Sequence, residues 1–233
     1  MNVAMIKRLQ SDMQAIGLYE GDVDGDWGPQ SLAAWEATIG AARLRQSVDL
    51  PGYVPHQELS IAWSARVSAV FVDRVLWIRD ALGMPEKGAD WLMACMAWET
   101  GERFSPDVRN GAGSGATGLI QFMPKTAVGL GTTTQALARM SAEDQLNYVY
   151  KYFVPYKDKL NSLADVYMAI LWPAAIGKPV DHVLWDKNKA PTTYRQNSGL
   201  DVNGDALITK AEAAGKVQGK LEKGLQPANR RKI

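Results

Sequence analysis

At 233 residues, the chain has room for one medium-sized domain with a substantial core and one or two smaller modules. Its composition is that of an ordinary globular protein, and because no apolar run reaches 18 residues we expect no stable membrane insertion. One cysteine and two histidines argue against an internal disulfide and against a His/Cys zinc site, and the net charge is only +1.

The N-terminal segment predicts two helices joined by a tight turn. Apolar residues at three- and four-residue spacing mark the buried face of the first helix, namely Ile6, Leu9, Met13 and Ile16. Gly17 ends this helix, and the turn GDVDGDWGP at residues 21–29 leads to the second helix. The apolar face of the second helix carries Leu32, Trp35 and Ile39.

The turn carries a resemblance to a known module. The segment resembles the small peptidoglycan-binding domain of many cell-wall hydrolases, which consists of two helices joined by a turn. The pattern of that turn is hydrophobic-Tyr-x-Gly-x-x-Asp-Gly-x-aromatic-Gly-Pro. The resemblance implies that residues 1–57, with a linker at 41–57, bind the cell wall; the alternative is a helical hairpin that packs on the main domain. Asp22, Asp24 and Asp26 are interpreted as turn residues, because no bidentate acid follows in the register of a calcium loop.

A helical pattern then runs from Glu58 to Leu82 and stops at Gly83-Met84-Pro85. The next segment, WLMACMAW at residues 91–98, carries no charge and no helix breaker, which is typical of a helix buried on all sides. Cys95 within it is predicted to be a core thiol. No strand-like alternation of any length is visible, so the region is predicted to be mainly helical.

Glu99 follows this apolar helix, and Gly101 supplies a helix C-cap. Partial burial and the negative end of the helix dipole both disfavour the carboxylate, so we expect the pKa of Glu99 to be raised. A carboxylic acid that stays protonated near neutral pH can act as a general acid. The alternative is that Glu99 ends a helix in solvent.

A glycine-rich loop follows the acid. Residues 110–118 (NGAGSGATG) contain four glycines, which let backbone approach a ligand closely, and they lead into the apolar segment 119–124 with a single amide, Gln121. An acid, a glycine loop and an amide within about 25 residues are typical of a sugar-binding cleft.

An ordered set of motifs over residues 91–131 resembles the catalytic core of soluble lytic transglycosylases, which share the goose-type lysozyme fold and cleave peptidoglycan between N-acetylmuramic acid and N-acetylglucosamine. The motifs are Glu99-Thr100, Phe104-Ser105-Pro106, GATGLIQ at residues 115–121, Pro124, Thr126-Ala127 and Leu130-Gly131. The resemblance predicts a mainly α, lysozyme-like catalytic domain at residues 58–185, after the small helical peptidoglycan-binding domain.

The resemblance also implies the site residues. Glu99 is the catalytic acid, and the substrate-binding residues are Gln121, Thr117, Gly118, Tyr148 and Tyr152. The two tyrosines lie, with Tyr156, on one face of an aromatic helix predicted at 143–156. Such a stripe is usually core, whereas the family resemblance places this region beside the sugar cleft. The chain departs from the family where Ala-Tyr-Asn-Ala-Gly is usual, because Leu171-Trp172-Pro173 occupies that place; Tyr167 and Trp172 are both open as replacements.

The C-terminal segment, residues 186–233, is predicted to be an extension with an EF-hand-like loop. The candidate calcium ligands are Asp201, Asn203, Asp205, Leu207 and Glu212. Ala206 stands where the loop needs glycine for positive φ, so calcium binding is expected to be weak. The alternative is an Asx-rich turn that caps a helix starting near Lys210.

Basic residues are concentrated at the C-terminal end, namely Lys216, Lys220, Lys223, Arg230, Arg231 and Lys232. Residues 186–233 hold ten basic and five acidic side chains, whereas residues 1–60 hold four and eight, which suggests separate modules. Two interpretations are open for the basic tail: a solvated, partly frayed helix, or attraction to anionic wall polymers or lipopolysaccharide.

Together these features predict a bacteriophage endolysin that acts as a lytic transglycosylase. The alternatives are a hydrolytic muramidase (lysozyme) and a non-enzymatic virion protein that binds the wall. We expect a monomer that acts on peptidoglycan glycan strands, with no nucleic-acid partner and no required cofactor beyond calcium at the C-terminal loop. The N-terminus lacks a signal peptide's apolar core, so we expect synthesis in the host cytoplasm and action on the periplasmic cell wall.

Overall fold

In a computed structural model, the described residues are 3–15, 17–35, 60–111 and 113–231, and they are mainly helical. The chain divides into two units, Met1–Gln57 and Glu58–Ile233. None of the described helices is long and apolar enough to cross a lipid bilayer.

The first unit contains α1 (Val3–Ala15) and the described part of α2 (29–35). Its core consists of Met13, Tyr19 and Ala34, against which Trp27 and Trp35 pack. Met13 is the buried member of the predicted stripe, Ile6 and Leu9 are half-buried, and Ile16 and Ile39 lie outside the described residues. The apolar pattern therefore identified the inward face of α1.

A buried amide ties the turn of the first unit to α1. The Gln10 side-chain nitrogen lies within 3.1 Å of four acceptors, which are Tyr19 Oη, Asp24 Oδ1, the Asp26 carbonyl and Ser31 Oγ. Its carbonyl oxygen accepts from the Gly25 amide at 2.8 Å. Asp24 also accepts from the Asp26 amide at 2.9 Å, which is the turn role predicted for it.

The second unit is a helical body with one small sheet. Its longer helices are α3 (Ala69–Ala81), α4 (Gly88–Glu99), α7 (Ala142–Phe153), α8 (Leu163–Leu171) and α10 (Lys210–Gly224). The shorter helices are α5 (Pro124–Gly129), α6 (Thr134–Leu137) and α9 (Pro191–Gln196). The antiparallel strands are β1 (Val183–Asp186) and β2 (Leu207–Thr209).

Helix α4 lies in the middle of this body, where it packs against α3, α8 and α10. Its residues from Leu92 to Ala97 are all buried, as expected for a helix without a polar face. The helix ends in a Schellman turn, in which the Glu102 amide bonds to the Ala97 carbonyl at 2.7 Å and Gly101 adopts φ of 58°. The end of α4 at Glu99 was predicted from the sequence.

The sequence predictions about the start of α3 and about strands are wrong. The helix predicted from Glu58 begins only at Ala69, because Trp63 adopts φ of 64° and Ser68 caps the helix by accepting from the Phe71 amide at 3.0 Å. The absence of strands is also contradicted by β1 and β2, which are too short to show an alternating pattern.

The C-terminal residues form part of the second unit, whereas the sequence predicted a separate extension. Helix α10 packs against both α4 and α8. Its first residue, Lys210, is buried and its ammonium lies 2.6 Å from Asp165 Oδ1 on α8. The indole nitrogen of buried Trp63 donates to the Lys220 carbonyl at 2.9 Å, so α10 is also tied to the start of the unit.

The basic side chains near the C-terminus are largely engaged within the protein. The Arg230 guanidinium bonds to the Ser60 carbonyl at 2.6 Å, and that of Arg231 bonds to the Val67 carbonyl at 3.1 Å. Because of these contacts, Arg230 and Arg231 are not part of the solvated, frayed helix that was one of the two interpretations of the basic tail. Lys232 lies outside the described residues.

Candidate functional site

Glu99 is the last residue of α4 and is half-buried. Within the described part of the chain, its carboxyl group has no hydrogen-bond or ion-pair partner. Burial raises the pKa of Glu99 to about 7, the direction expected from the sequence. Near neutral pH, a carboxyl group with this pKa populates both its protonated and its anionic form. A residue that acts first as a general acid and then as a base needs both forms.

Two tyrosines lie close enough to Glu99 to sense its charge. The pKa of Tyr167 on α8 is raised mainly by burial and in addition by the charge of the Glu99 carboxylate. Burial likewise raises the pKa of Tyr152 on α7, with smaller contributions from Tyr156 and Glu99. The structure therefore brings α4, α7 and α8 together around one carboxyl group.

Tyr167 is the better match to the missing tyrosine of the family pattern. Its hydroxyl accepts a hydrogen bond from the indole nitrogen of Trp98 at 3.1 Å, and Trp98 directly precedes Glu99. Trp172, the other residue left open, packs edge-on against Trp185 at 5.6 Å between ring centroids and leaves 41% of its surface exposed. We therefore assign Tyr167, and not Trp172, to the surroundings of Glu99.

The two tyrosines predicted to bind substrate have different environments. The Tyr152 hydroxyl donates to the Ala169 carbonyl at 2.7 Å, and its ring packs edge-on against Phe122 and Phe153. The Tyr148 ring is half-buried, with Lys151 Nζ 5.3 Å from its centroid. Tyr156 lies in a short 3₁₀ turn after the end of α7, so the helix predicted to reach residue 156 is shorter than expected.

The glycine loop is a tightly bonded turn. Thr117 and Phe122 exchange backbone hydrogen bonds of 3.1 and 2.9 Å, and the Gly118 amide donates to the Val108 carbonyl at 2.8 Å. Gly118 adopts φ of 86°, and a Cβ atom there would collide with the side-chain amide of Gln145. The buried Thr117 hydroxyl donates to the Gly115 carbonyl at 3.1 Å, so it supports the loop from within.

Gln121 is likewise part of the loop scaffold. Its side-chain nitrogen donates to the Val108 and Gly118 carbonyls at 3.1 and 3.0 Å, and its backbone adopts φ of 52°. Within the described residues, no hydrogen bond joins its amide oxygen to another group. If Gln121 binds substrate as predicted, this oxygen is the atom that would accept a hydrogen bond from it.

Gln145 was missed by the sequence analysis, although it holds the loop in place. It is fully buried on α7, and its oxygen accepts from the Leu119 amide at 2.6 Å. Its nitrogen donates to the carbonyls of Pro106 and Leu137 at 3.1 and 2.9 Å. The sequence signal for this role was weak, because Gln145 stands between Asp144 and Leu146 in a segment with several other polar residues.

The second acid near Glu99 in sequence, Glu102, is engaged in ion pairs. Its two carboxylate oxygens lie 2.5 and 2.6 Å from the ammonium groups of Lys220 and Lys223. Hydrogen bonds from these lysines, first from Lys220, lower the pKa of Glu102. Asp107, the remaining nearby acid, accepts from Ser105 Oγ at 2.5 Å. Glu102 therefore links the end of α4 to α10 as an anion and offers no second acid.

Trp98 and Tyr167 are among the residues that line an open groove of about 340 Å³. We call it the Trp98 groove. Its other lining residues come from α8, from α9 and the turn after it, and from α10, namely Leu171, Gln196, Asn197, Gly199, Leu200 and Lys216. The groove could not be predicted from the sequence, because it joins α4 to residues of α8, α9 and α10 that lie more than 60 positions further along the chain.

The acidic residues of the C-terminal loop act as turn and capping acceptors. Asp201 accepts from the amides of Gly204 and Ala206 at 2.8 and 3.1 Å. Glu212 accepts from the Thr209 amide at 2.9 Å and completes a capping box at the start of α10. These contacts are those of the Asx-rich turn that was left open as the alternative.

The remaining candidate ligands follow the same pattern. Asn203 accepts from the Asp205 amide, and Asp205 accepts from the Leu207 amide, both at 2.9 Å. Ala206 adopts φ of 68°, the strained backbone expected at this position. Across the described ranges, no three His, Cys, Asp or Glu side chains are grouped so as to hold a metal ion. Weak calcium binding stays a prediction, which calorimetric titration with calcium would test.

No protein-family model matches this chain, and no curated protein matches it either. The likeness to soluble lytic transglycosylases therefore depends on the ordered motifs of residues 91–131.

Proposed function

We propose that this chain is a peptidoglycan-cleaving enzyme that acts as a lytic transglycosylase, with the role of a phage endolysin in host cell lysis. The observation that carries the proposal is the environment of Glu99. Within the described residues, Glu99 is a half-buried acid without a partner, and its pKa is about 7. It neighbours Trp98 and Tyr167, which line a groove. Such an acid next to a lined groove is a typical arrangement for glycosidic bond cleavage.

In the proposed mechanism, Glu99 acts twice. In its acid form, it protonates the glycosidic oxygen as the bond to muramic acid breaks, and the substrate's N-acetyl group stabilises the cationic centre. In its anionic form, it takes the proton from the C6 hydroxyl of the same muramic acid. That oxygen then closes a 1,6-anhydro ring, and the proton count on Glu99 is restored.

The single acid favours ring closure over hydrolysis. Ordinary glycosidases use two carboxyl groups, one as acid and one as base or nucleophile. Glu102 is neutralised by two lysines, and burial alone accounts for the raised pKa of Glu99. The mechanism with one carboxyl group is therefore the better supported of the two reactions.

The first unit is proposed to hold the enzyme on the wall. Its turn, which matches the peptidoglycan-binding pattern, is fixed by the buried Gln10 amide and contains Trp27, whose ring centroid lies 6.3 Å from that of Trp35. A rigid turn with adjacent aromatic side chains is a suitable surface for a sugar chain.

A turbidity assay tests the proposal. Gram-negative cells with a permeabilised outer membrane should lose turbidity when the protein is added, and Glu99→Gln should lower the rate at least about 100-fold. Glu86→Gln changes an exposed glutamate in the same unit and serves as the matched control. Near-normal lysis by Glu99→Gln would exclude Glu99 as the acid, and the absence of lysis by the unaltered protein would exclude the function.

A further inference from the structure

A half-buried lysine lines the Trp98 groove without a partner. Lys216 lies on α10, and no hydrogen bond or ion pair within the described part of the chain reaches its ammonium group. On the same helix, Lys210 is paired with Asp165, and Lys220 is paired with Glu102. A cation that lines a groove and is not neutralised by the protein favours an anionic ligand.

The rest of the groove suits a sugar that carries amide groups. The half-buried indole of Trp98 supplies an aromatic wall, and its nitrogen is already used by Tyr167. Gln196 is exposed, and among the residues that the structure describes no hydrogen bond holds its side-chain amide. The Asn197 side-chain nitrogen donates to the Thr193 carbonyl at 2.9 Å, which leaves its amide oxygen to accept. Aromatic walls with a few polar groups bind sugars through ring stacking and directed hydrogen bonds.

Two residues that line the groove, Trp98 and Tyr167, also neighbour Glu99. Trp98 precedes Glu99 on α4, and Tyr167 both lines the groove and lies close enough for the Glu99 charge to raise its pKa. A glycan strand that is cleaved at Glu99 would therefore place its neighbouring groups along the wall formed by α9 and α10.

We propose that Lys216 is a specificity-determining residue that binds a carboxylate carried by the glycan strand. The carboxylate belongs either to the lactyl group of muramic acid or to the peptide attached there. This assignment rests on the proposed function and deepens it. It explains how the enzyme would prefer anionic peptidoglycan over neutral chains of N-acetylglucosamine.

Calorimetric binding to the full chain in a Glu99→Gln background tests the assignment without turnover. Three oligomers of equal length are compared: neutral N-acetylglucosamine chains, peptidoglycan strands stripped of peptide, and strands that keep their peptides. We expect an anionic strand to bind at least about tenfold more tightly than the neutral chain, as a charge-assisted hydrogen bond provides. Tight binding of the stripped strand identifies the lactyl carboxylate, and preference confined to the peptide-bearing strand identifies the peptide.

Three variants at two positions make the test specific. Lys216→Met should reduce the preference for the anionic strand about tenfold, whereas Lys216→Arg, which keeps the charge, should retain most of it. Lys159→Met removes an exposed lysine elsewhere in the unit and should leave the preference as it was. The preference should also weaken with added salt, because the groove is open to solvent.

The outcomes separate this assignment from the proposed function. Equal affinity for neutral and anionic oligomers, or an unchanged preference in Lys216→Met, would overturn the role of Lys216 alone. If none of the three oligomers bound, both the assignment and the proposed function would fail.

Discussion

Glu99 and Glu102 lie three residues apart, yet their surroundings move their pKa values in opposite directions. Glu99 is the last residue of a buried helix and has no partner in the described residues, so burial raises its pKa to about 7. Glu102, after the Schellman turn, meets two lysines of α10, and its pKa is lowered. The same residue type therefore serves as a titrating acid at one position and as a fixed anion at the other.

The raised pKa of Glu99 predicts a pH dependence of stability. Folding favours its protonated form, so the contribution to the free energy of unfolding is fully present below about pH 4.5 and is lost as pH rises to about 7. The loss is at most about 3 kcal/mol. Urea unfolding across this range should show a smaller decline for Glu99→Gln than for Glu86→Gln. Parallel curves for the two variants would mean that Glu99 titrates normally.

Gly118 is expected to tolerate no side chain. Gly118→Ala would force Cβ against the Gln145 amide at a positive φ, so the free energy of unfolding should fall by about 2 kcal/mol or more. Gly111→Ala, in the same loop with open space around it, is the matched control and should change it by less than about 1 kcal/mol. Equal unfolding midpoints for the two variants would contradict the close approach of loop and helix.

The burial of α4 was predictable from the sequence, whereas that of α10 was not. The run of uncharged residues before Glu99 favours a buried helix, and Gly101 marks its end. A helix starting near Lys210 was also predicted from the sequence, and α10 begins there. Helix α10, by contrast, carries lysines and glycines along its length, a composition that indicates a solvated helix. Its burial depends on partners that are distant in sequence, such as Trp63. The Trp63 indole packs so closely against Gly224 that a side chain at that position would collide with it. The groove that α10 completes was unpredictable for the same reason.

The attachment of α10 to α8 should depend on the buried pair of Lys210 and Asp165. Two backbone carbonyls, of Ala175 and Lys178, also accept from the Lys210 ammonium. Lys210→Met would leave the Asp165 carboxylate without its cation, so the free energy of unfolding should fall by about 3 kcal/mol, measured by urea denaturation.

The surface pair of Lys189 and Asp186 provides the control for this change. Its charged atoms are 3.6 Å apart and the lysine is 86% exposed, so Lys189→Met should cost less than about 1 kcal/mol. A cost for Lys210→Met that is no larger than the control would show that the buried pair does not hold α10 in place.

At the scale of the whole molecule, the chain has two units with separate cores. The first is small and depends on a few aromatic side chains and one buried amide, and the second contains the groove and Glu99. The helix pattern and the turn motif were enough to predict the first unit. In the second unit, the sequence predicted the helical class and the raised pKa of Glu99, but it did not predict that α9 and α10 line the groove.

The first unit is predicted to bind the cell wall by itself. A fragment of residues 1–57 should sediment with purified peptidoglycan sacculi, because its turn and aromatic side chains are fixed within the unit. Gln10→Leu in the fragment should abolish sedimentation, since it removes the hydrogen bonds that tie the turn to α1. A fragment that is folded by circular dichroism but stays in the supernatant would instead be a packing element.

Mass spectrometry of the products from purified Gram-negative sacculi distinguishes the proposed reaction from its alternatives. We predict muropeptides with 1,6-anhydro-muramic ends, which weigh one water less than hydrolysis products. These ends should be absent after digestion with Glu99→Gln and present with Glu86→Gln. Hydrated muramic ends would contradict the transglycosylase reaction, and intact glycan strands would contradict the assignment of Glu99 as the acid of a peptidoglycan-cleaving enzyme.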